Sequence, residues 1–224
     1  MHKGFRAALA CLLLATALAR GEDAPPAAES TSDQASYAIG LNIGSDLRSR
    51  KFDVNIEKFI QGFKDGQVGK EALPPEQMQK LMLKFVADVA KRNAKEGEAF
   101  LAENAKKEGV KTTASGLQYK VIKEGDGTAP TATDTVTAHY KGALVDGSVF
   151  DQTKEQPASF PLGNVIPGWT EGLQLMKVGA KYQFFIPSKL AYGEQGRPPQ
   201  IGPNLALIFE IELIGIGRQP QPKP

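Results

Sequence analysis

The sequence predicts an α+β chain: an N-terminal helical region with a long connecting helix, then an antiparallel sheet of about five strands wrapped on one short helix. Three observations carry this. Apolar residues recur at three- and four-residue spacings up to about residue 105. After Gly109 they alternate at two-residue spacing. Proline and glycine pairs punctuate the joints between these runs.

Taken in order, Lys3 and Arg6 precede an apolar run from Ala7 to Leu18, and Ala17-Leu18-Ala19 supplies a small-x-small cleavage pattern. Residues 1–19 therefore read as a secretory signal peptide, too short to anchor a chain in a bilayer. Its removal would take Cys11 and His2 with it. A lipoprotein cleavage at Ala8-Leu9-Ala10-Cys11 is the alternative, and the apolar run continuing past Cys11 weighs against it. Residues 20–32 are small and polar, with Pro25-Pro26, and read as a disordered lead.

The helical region and linker helix span 33–110. Tyr37, Leu41, Gly44 and Leu47 repeat as on one helix face, and Ile56, Phe59, Ile60 and Phe63 on another. Gly66 and Gly69 interrupt the chain before Pro74-Pro75 opens a third helix. Met78, Leu81, Met82, Phe85 and Val89 stripe its first half. Its second half, rich in Lys, Glu and Ala, reads as a solvated strut between two bodies. The stripes suit either an ordinary intramolecular core or a core shared by two chains. The first two helices are too short to build a core alone, so a homodimer stands beside the intramolecular reading.

Residues 111–217 carry the strand pattern. Leu117, Tyr119 and Val121 alternate, as do Val136, Ala138 and Tyr140. Tyr182, Phe184 and Ile186 follow, then Leu205 to Leu213. Asp146-Gly147 reads as a hairpin turn, and Pro167-Gly168 introduces a helix from Trp169 to about Met176. The tail, 218–224, is proline-rich and reads as disordered.

Composition removes several functions. With 27 Lys+Arg against 25 Asp+Glu, the chain lacks the basic excess of a nucleic-acid binder. One Cys rules out a disulfide framework, and two His leave little for zinc. No His/Cys/Asp/Glu cluster has ligand spacing, so neither metal nor cofactor is expected. His139 alternates onto the face opposite Tyr140 and reads as an exposed strand residue. Beyond the leader no run is long enough to span a membrane.

What remains is aromatic: Tyr140, Phe150, Phe160, Trp169, Tyr192 and Phe209. Each alone reads as core. Asp151, directly after Phe150, changes that, because a carboxylate beside so many rings needs a hydrogen bond. The stretches Val136-Thr-Ala-His-Tyr140, Asp146-Gly-Ser-Val-Phe-Asp151, Val165-Ile-Pro-Gly-Trp169, Ile186-Pro187, Leu190-Ala-Tyr-Gly193 and Ile201-Gly-Pro-Asn204 through Leu207-Ile-Phe209 resemble the FKBP-type peptidyl-prolyl isomerase domain. These separated motifs agree in order and spacing, from about Gly116 to Gly215. The preceding region, with Ala35-Ser-Tyr-Ala-Ile-Gly40 and the long helix, is similar to the dimerisation segment of the macrophage infectivity potentiator and FkpA group.

The resemblance implies a pocket with Tyr140, Phe150, Asp151, Tyr192 and Phe209 in catalytic roles, and Val165, Ile166, Trp169, Ile201 and Phe160 binding substrate. Trp169 would lie beneath the proline ring, and the Ile166 N–H and Tyr192 hydroxyl would hold carbonyls. Asp151 would orient Tyr140 or a carbonyl. Two departures from the family pattern, Ala158 and Arg197, fall at the rim. Implied partners are unfolded or proline-containing polypeptides, macrolide-type inhibitors and a second copy of the chain. The implied activity is X–Pro isomerisation in exported proteins together with chaperone activity, in the periplasm or at the outer membrane. A non-catalytic chaperone, or a surface protein binding a host partner, are the alternatives.

Overall fold

A computed structural model describes residues 30–217; the leader, most of the polar lead and the proline-rich tail lie outside the described residues. The described chain divides into two units, one ending at Gly40 and one starting at Leu41. In the first, helix α1 (Thr31–Ser49) starts two residues before the predicted helical start at Asp33. The reason is a cap: Ser30 Oγ accepts from the Asp33 N–H at 3.1 Å, and the Asp33 carboxylate accepts from the Ser30 N–H at 3.2 Å. These Ser30 bonds hold the Asp33 carboxyl below its ordinary range.

The second unit holds the rest of α1, then α2 (Ile56–Gln67) and α3 (Pro75–Asn104). Strands β1 (Val110–Thr112), β2 (Gln118–Lys123), β3 (Thr135–Leu144), β4 (Val149–Gln152) and β5 (Ala158–Pro161) follow. Helix α4 (Pro167–Gln174) and strands β6 (Lys181–Ile186) and β7 (Leu207–Gly217) complete it. The seven strands form one antiparallel sheet in the order β1-β2-β6-β7-β3-β4, with β5 also on β3. Seven exceed the five predicted because β1 and β5, at three and four residues, are too short to show a two-residue period.

On β7, Leu207, Phe209, Ile211 and Leu213 are buried while the residues between them are half-exposed. With Val136, Ala138, Phe184 and Ile186 they form the apolar face on which α4 lays Trp169 and Leu173. The β3–β4 hairpin turns at Gly147, whose φ of +87° suits a residue without a Cβ.

The reading of α3 as a solvated strut is corrected. Of its four buried residues, Val89 closes the first half, while Asn93, Gly97 and Asn104 lie in the second. Asn93 donates to the Pro203 carbonyl at 2.8 Å, and Asn104 donates to the Gln118 side chain at 2.9 Å. Phe100 packs on Phe185, their centroids 6.1 Å apart. This half docks through amides and a glycine, which leave no apolar stripe to read. The apolar stripe in the first half stays exposed at Met78, Leu81 and Met82. Among the described residues no helix is long and apolar enough to cross a membrane.

Candidate active site

Helix α4 packs on the apolar face of the sheet through Trp169 and Leu173. Pro167 occupies its first turn, so Trp169 enters the fold at a fixed angle and is only 5% exposed. Around the indole stand Tyr140 from β3, Phe160 from β5 and Phe209 from β7, with centroids 5.2, 5.3 and 5.2 Å away. Their planes lie at 79°, 83° and 85° to it, as walls stand to a floor. Phe150, from β4, meets Phe209 edge-on at 5.5 Å. These edge-to-face contacts favour ring quadrupoles and hold each ring upright. Above the indole opens a cavity of about 460 Å³.

Nine of the ten residues named from the sequence line this cavity: Tyr140, Phe150, Asp151, Phe160, Val165, Ile166, Trp169, Tyr192 and Phe209. Ile201 does not. It exchanges two backbone hydrogen bonds with Arg197 across the loop before β7, which turns it into the core at 1% exposure. Arg197 takes the lining position instead, and Asn164 joins the wall. Asn164 was missed because a lone Asn before a helix reads as a turn residue. His139 does not line the cavity; half-buried, its Nδ1 lies 3.1 Å from Thr153 Oγ1.

The polar groups of the site are few and directed. Tyr140 donates its O–H to Asp151 at 2.7 Å. Burial, and then that bond, push the Tyr140 phenol up to about 12. The neutral phenol is therefore the form the fold favours. The stability it adds is whole below pH 10.0, the ordinary tyrosine value, and is lost as pH rises through about 12. Phenolate absorbance should show Tyr140 titrating near that upper value, and Asp151→Asn should bring the titration down. Arg197 donates to Tyr192 Oη at 3.2 Å, which leaves the Tyr192 hydrogen free to be given elsewhere. The Ile166 N–H, just before α4, has no acceptor among the described residues. Nor do the described residues gather three His, Cys, Asp or Glu that could hold a metal ion.

An antiparallel sheet curled on one helix, with a ring-walled cavity where that helix begins, is the arrangement of an FKBP-like domain. Comparison with known proteins agrees. Residues 126–214 match the family described as FKBP-type peptidyl-prolyl cis-trans isomerase, and residues 32–121 the domain amino terminal to it. The probable FKBP-type isomerase FkpA of Neisseria meningitidis is 48% identical over 205 residues, 84% of this chain and 75% of that protein. The outer membrane protein MIP of Legionella longbeachae is 41% identical across 94% of this chain and 95% of its own length. The crystal structure of FkpA from Escherichia coli covers 86% of this chain and 99% of its own, at 35% identity and a TM-score of 0.57. The chain belongs to the FKBP-type peptidyl-prolyl cis-trans isomerase family and is an isomerase of that type.

Proposed function

We propose that this chain accelerates rotation about X–Pro bonds in exported polypeptides, and that the reaction takes place above Trp169. The observation that supports this is an indole floor beneath open space walled by upright rings. The uncatalysed rotation has a barrier of about 18–20 kcal/mol, set by amide conjugation. Twisting the bond removes the conjugation, lowers the charge on the carbonyl oxygen and leaves a group that needs less hydration. Apolar walls therefore hold the twisted bond better than the planar one, and only such a difference speeds a reaction. Each 1.4 kcal/mol of it is worth about tenfold in rate.

The residues divide this work by what they touch. Trp169 lies beneath the proline ring, with Phe209, Phe150 and Phe160 at its sides. The Ile166 N–H and the Tyr192 O–H hold substrate carbonyls. Asp151 accepts from Tyr140 and so fixes the wall that ring forms; no proton is transferred. The test is cis/trans exchange in a proline peptide. The wild type should accelerate it, and Phe150→Ala and Asp151→Ala should each slow the catalysed rate. Full activity in both variants would place the reaction elsewhere.

The reading extends to a homodimer acting on unfolded clients outside the cytoplasm, in the periplasm or at the outer membrane. The leader-like start of the sequence favours export. Phe59 and Phe63 on α2, with Met78, Leu81 and Met82 on α3, are exposed, a cost that a second copy would relieve. Two linked cavities would cling to one unfolded chain through effective concentration, the basis of a holding activity. The mature chain should have a dimer's solution mass, and Leu81→Glu with Met82→Glu should halve it. A monomeric wild type would reject this part.

A further inference from the structure

A second groove adjoins the cavity above Trp169 and shares Phe150 with it. It encloses about 600 Å³ between the last turns of α1 and the β3–β4 hairpin. Both banks are fastened. Ser49 Oγ donates to the Pro199 carbonyl at 2.8 Å, on the loop that also carries Arg197. Lys51 pairs with Asp146 of the hairpin, and Arg92 of α3 donates to the Lys51 carbonyl. Gly202 lies so close to Arg50 that a Cβ there would stand 2.7 Å from the Arg50 Cα. Burial opposes ionisation of Asp146, yet the Lys51 and Ser148 hydrogen bonds prevail and bring its carboxyl down to about 2. The Asp146 end of the tie is therefore a carboxylate throughout the neutral range. This groove is built into the unit.

Its lining combines apolar and hydrogen-bonding groups. Leu144, Val149 and Phe150 give an apolar floor, while Asn42, Ser45 and Gln200 offer groups that can bond a peptide backbone. Charge in the groove is uneven. Asp46 is taken by Arg50 at 3.0 Å and Asp146 by Lys51. Arg48 lines the groove, exposed, with no carboxylate partner among the described residues.

An X–Pro bond always lies within a chain, and a chain leaving the cavity past Phe150 enters this groove. We propose that the groove is a subsite for the substrate segment flanking the proline, and that Arg48 favours an acidic side chain in that segment. This rests on the X–Pro reading above.

The test uses proline peptides bearing Glu, Ala or Lys at each of the three positions on either side of the proline. Their isomerisation is followed with the full mature wild type, Arg48→Ala and Arg48→Glu. At one position the wild type should favour the Glu peptide over the Lys peptide by about threefold in kcat/KM, the size of an exposed ion pair. Arg48→Ala should level that preference and Arg48→Glu should invert it, with the Ala peptides turned over equally by all three. Salt near ~1 M should compress the preference, since screening there acts within about 3 Å. An active wild type indifferent to charge at every position overturns the subsite alone, as does a preference that survives Arg48→Glu. A wild type inactive on every peptide overturns the X–Pro reading and the subsite with it.

Discussion

Exchanging Trp169 for leucine should lower kcat/KM on a proline peptide by about ten- to a hundredfold, a loss of about 1.4 to 2.7 kcal/mol in transition-state binding. The indole is the flat element that the three upright rings share, with centroids 5.2 to 5.3 Å from each. Leucine keeps the site apolar and part of the volume but offers no plane for a five-membered ring to lie on. Alanine would be a poorer probe, because emptying a buried Trp site costs about 3–5 kcal/mol of stability and confounds the two effects. Far-UV circular dichroism and the midpoint of thermal unfolding separate them. The leucine variant should keep its sheet while its rate falls. Trp169 is the only tryptophan in the sequence, so its emission also reports ligand entry in the wild type directly. An undiminished rate in Trp169→Leu would remove the floor from the mechanism.

How much of the fold is legible in the sequence follows from how far each signal extends along the chain. The long strands declared themselves because Leu207, Phe209, Ile211 and Leu213 alternate over seven residues on one buried face. Several rings of the site stand on the inward alternation of a strand or, like Trp169, at a helix start, where a family resemblance places them. Short strands escaped, since β1 and β5 offer at most two inward positions each. The docking of the second half of α3 escaped for a different reason. Its contacts run through Asn93, Gly97 and Asn104, and amides on a charged helix look solvated in a linear sequence. Ile201 was placed on the cavity wall by resemblance, whereas the two hydrogen bonds it shares with Arg197 turn its side chain into the core. Backbone pairing across a loop leaves no periodic trace, so nothing in the residue types could have exchanged those two positions.

Gly142 likewise leaves no periodic trace, yet the cavity depends on it. It sits mid-strand in β3, opposite Phe209 of β7 on one side and Asp151 of β4 on the other. A methyl group there would stand 2.7 Å from Phe150 Cζ and 2.7 Å from Phe209 Cε1, well inside van der Waals contact. Glycine in a strand interior weakens the strand and marks a place where something approaches closely; here two cavity rings do. Gly142→Ala must rotate both rings or displace a central strand, at a cost of about 1–3 kcal/mol of stability. Because the rings that yield are walls of the cavity, activity should fall further than stability alone explains, about tenfold in kcat/KM at a temperature where the variant is fully folded. Gly163→Ala makes the same chemical change where no atom lies within 4 Å, and it should alter neither denaturant midpoint nor rate. If Gly142→Ala lost stability but kept its full rate, the rings could shift without consequence. Their upright packing would then be a property of the core alone, and the chemistry would need another wall.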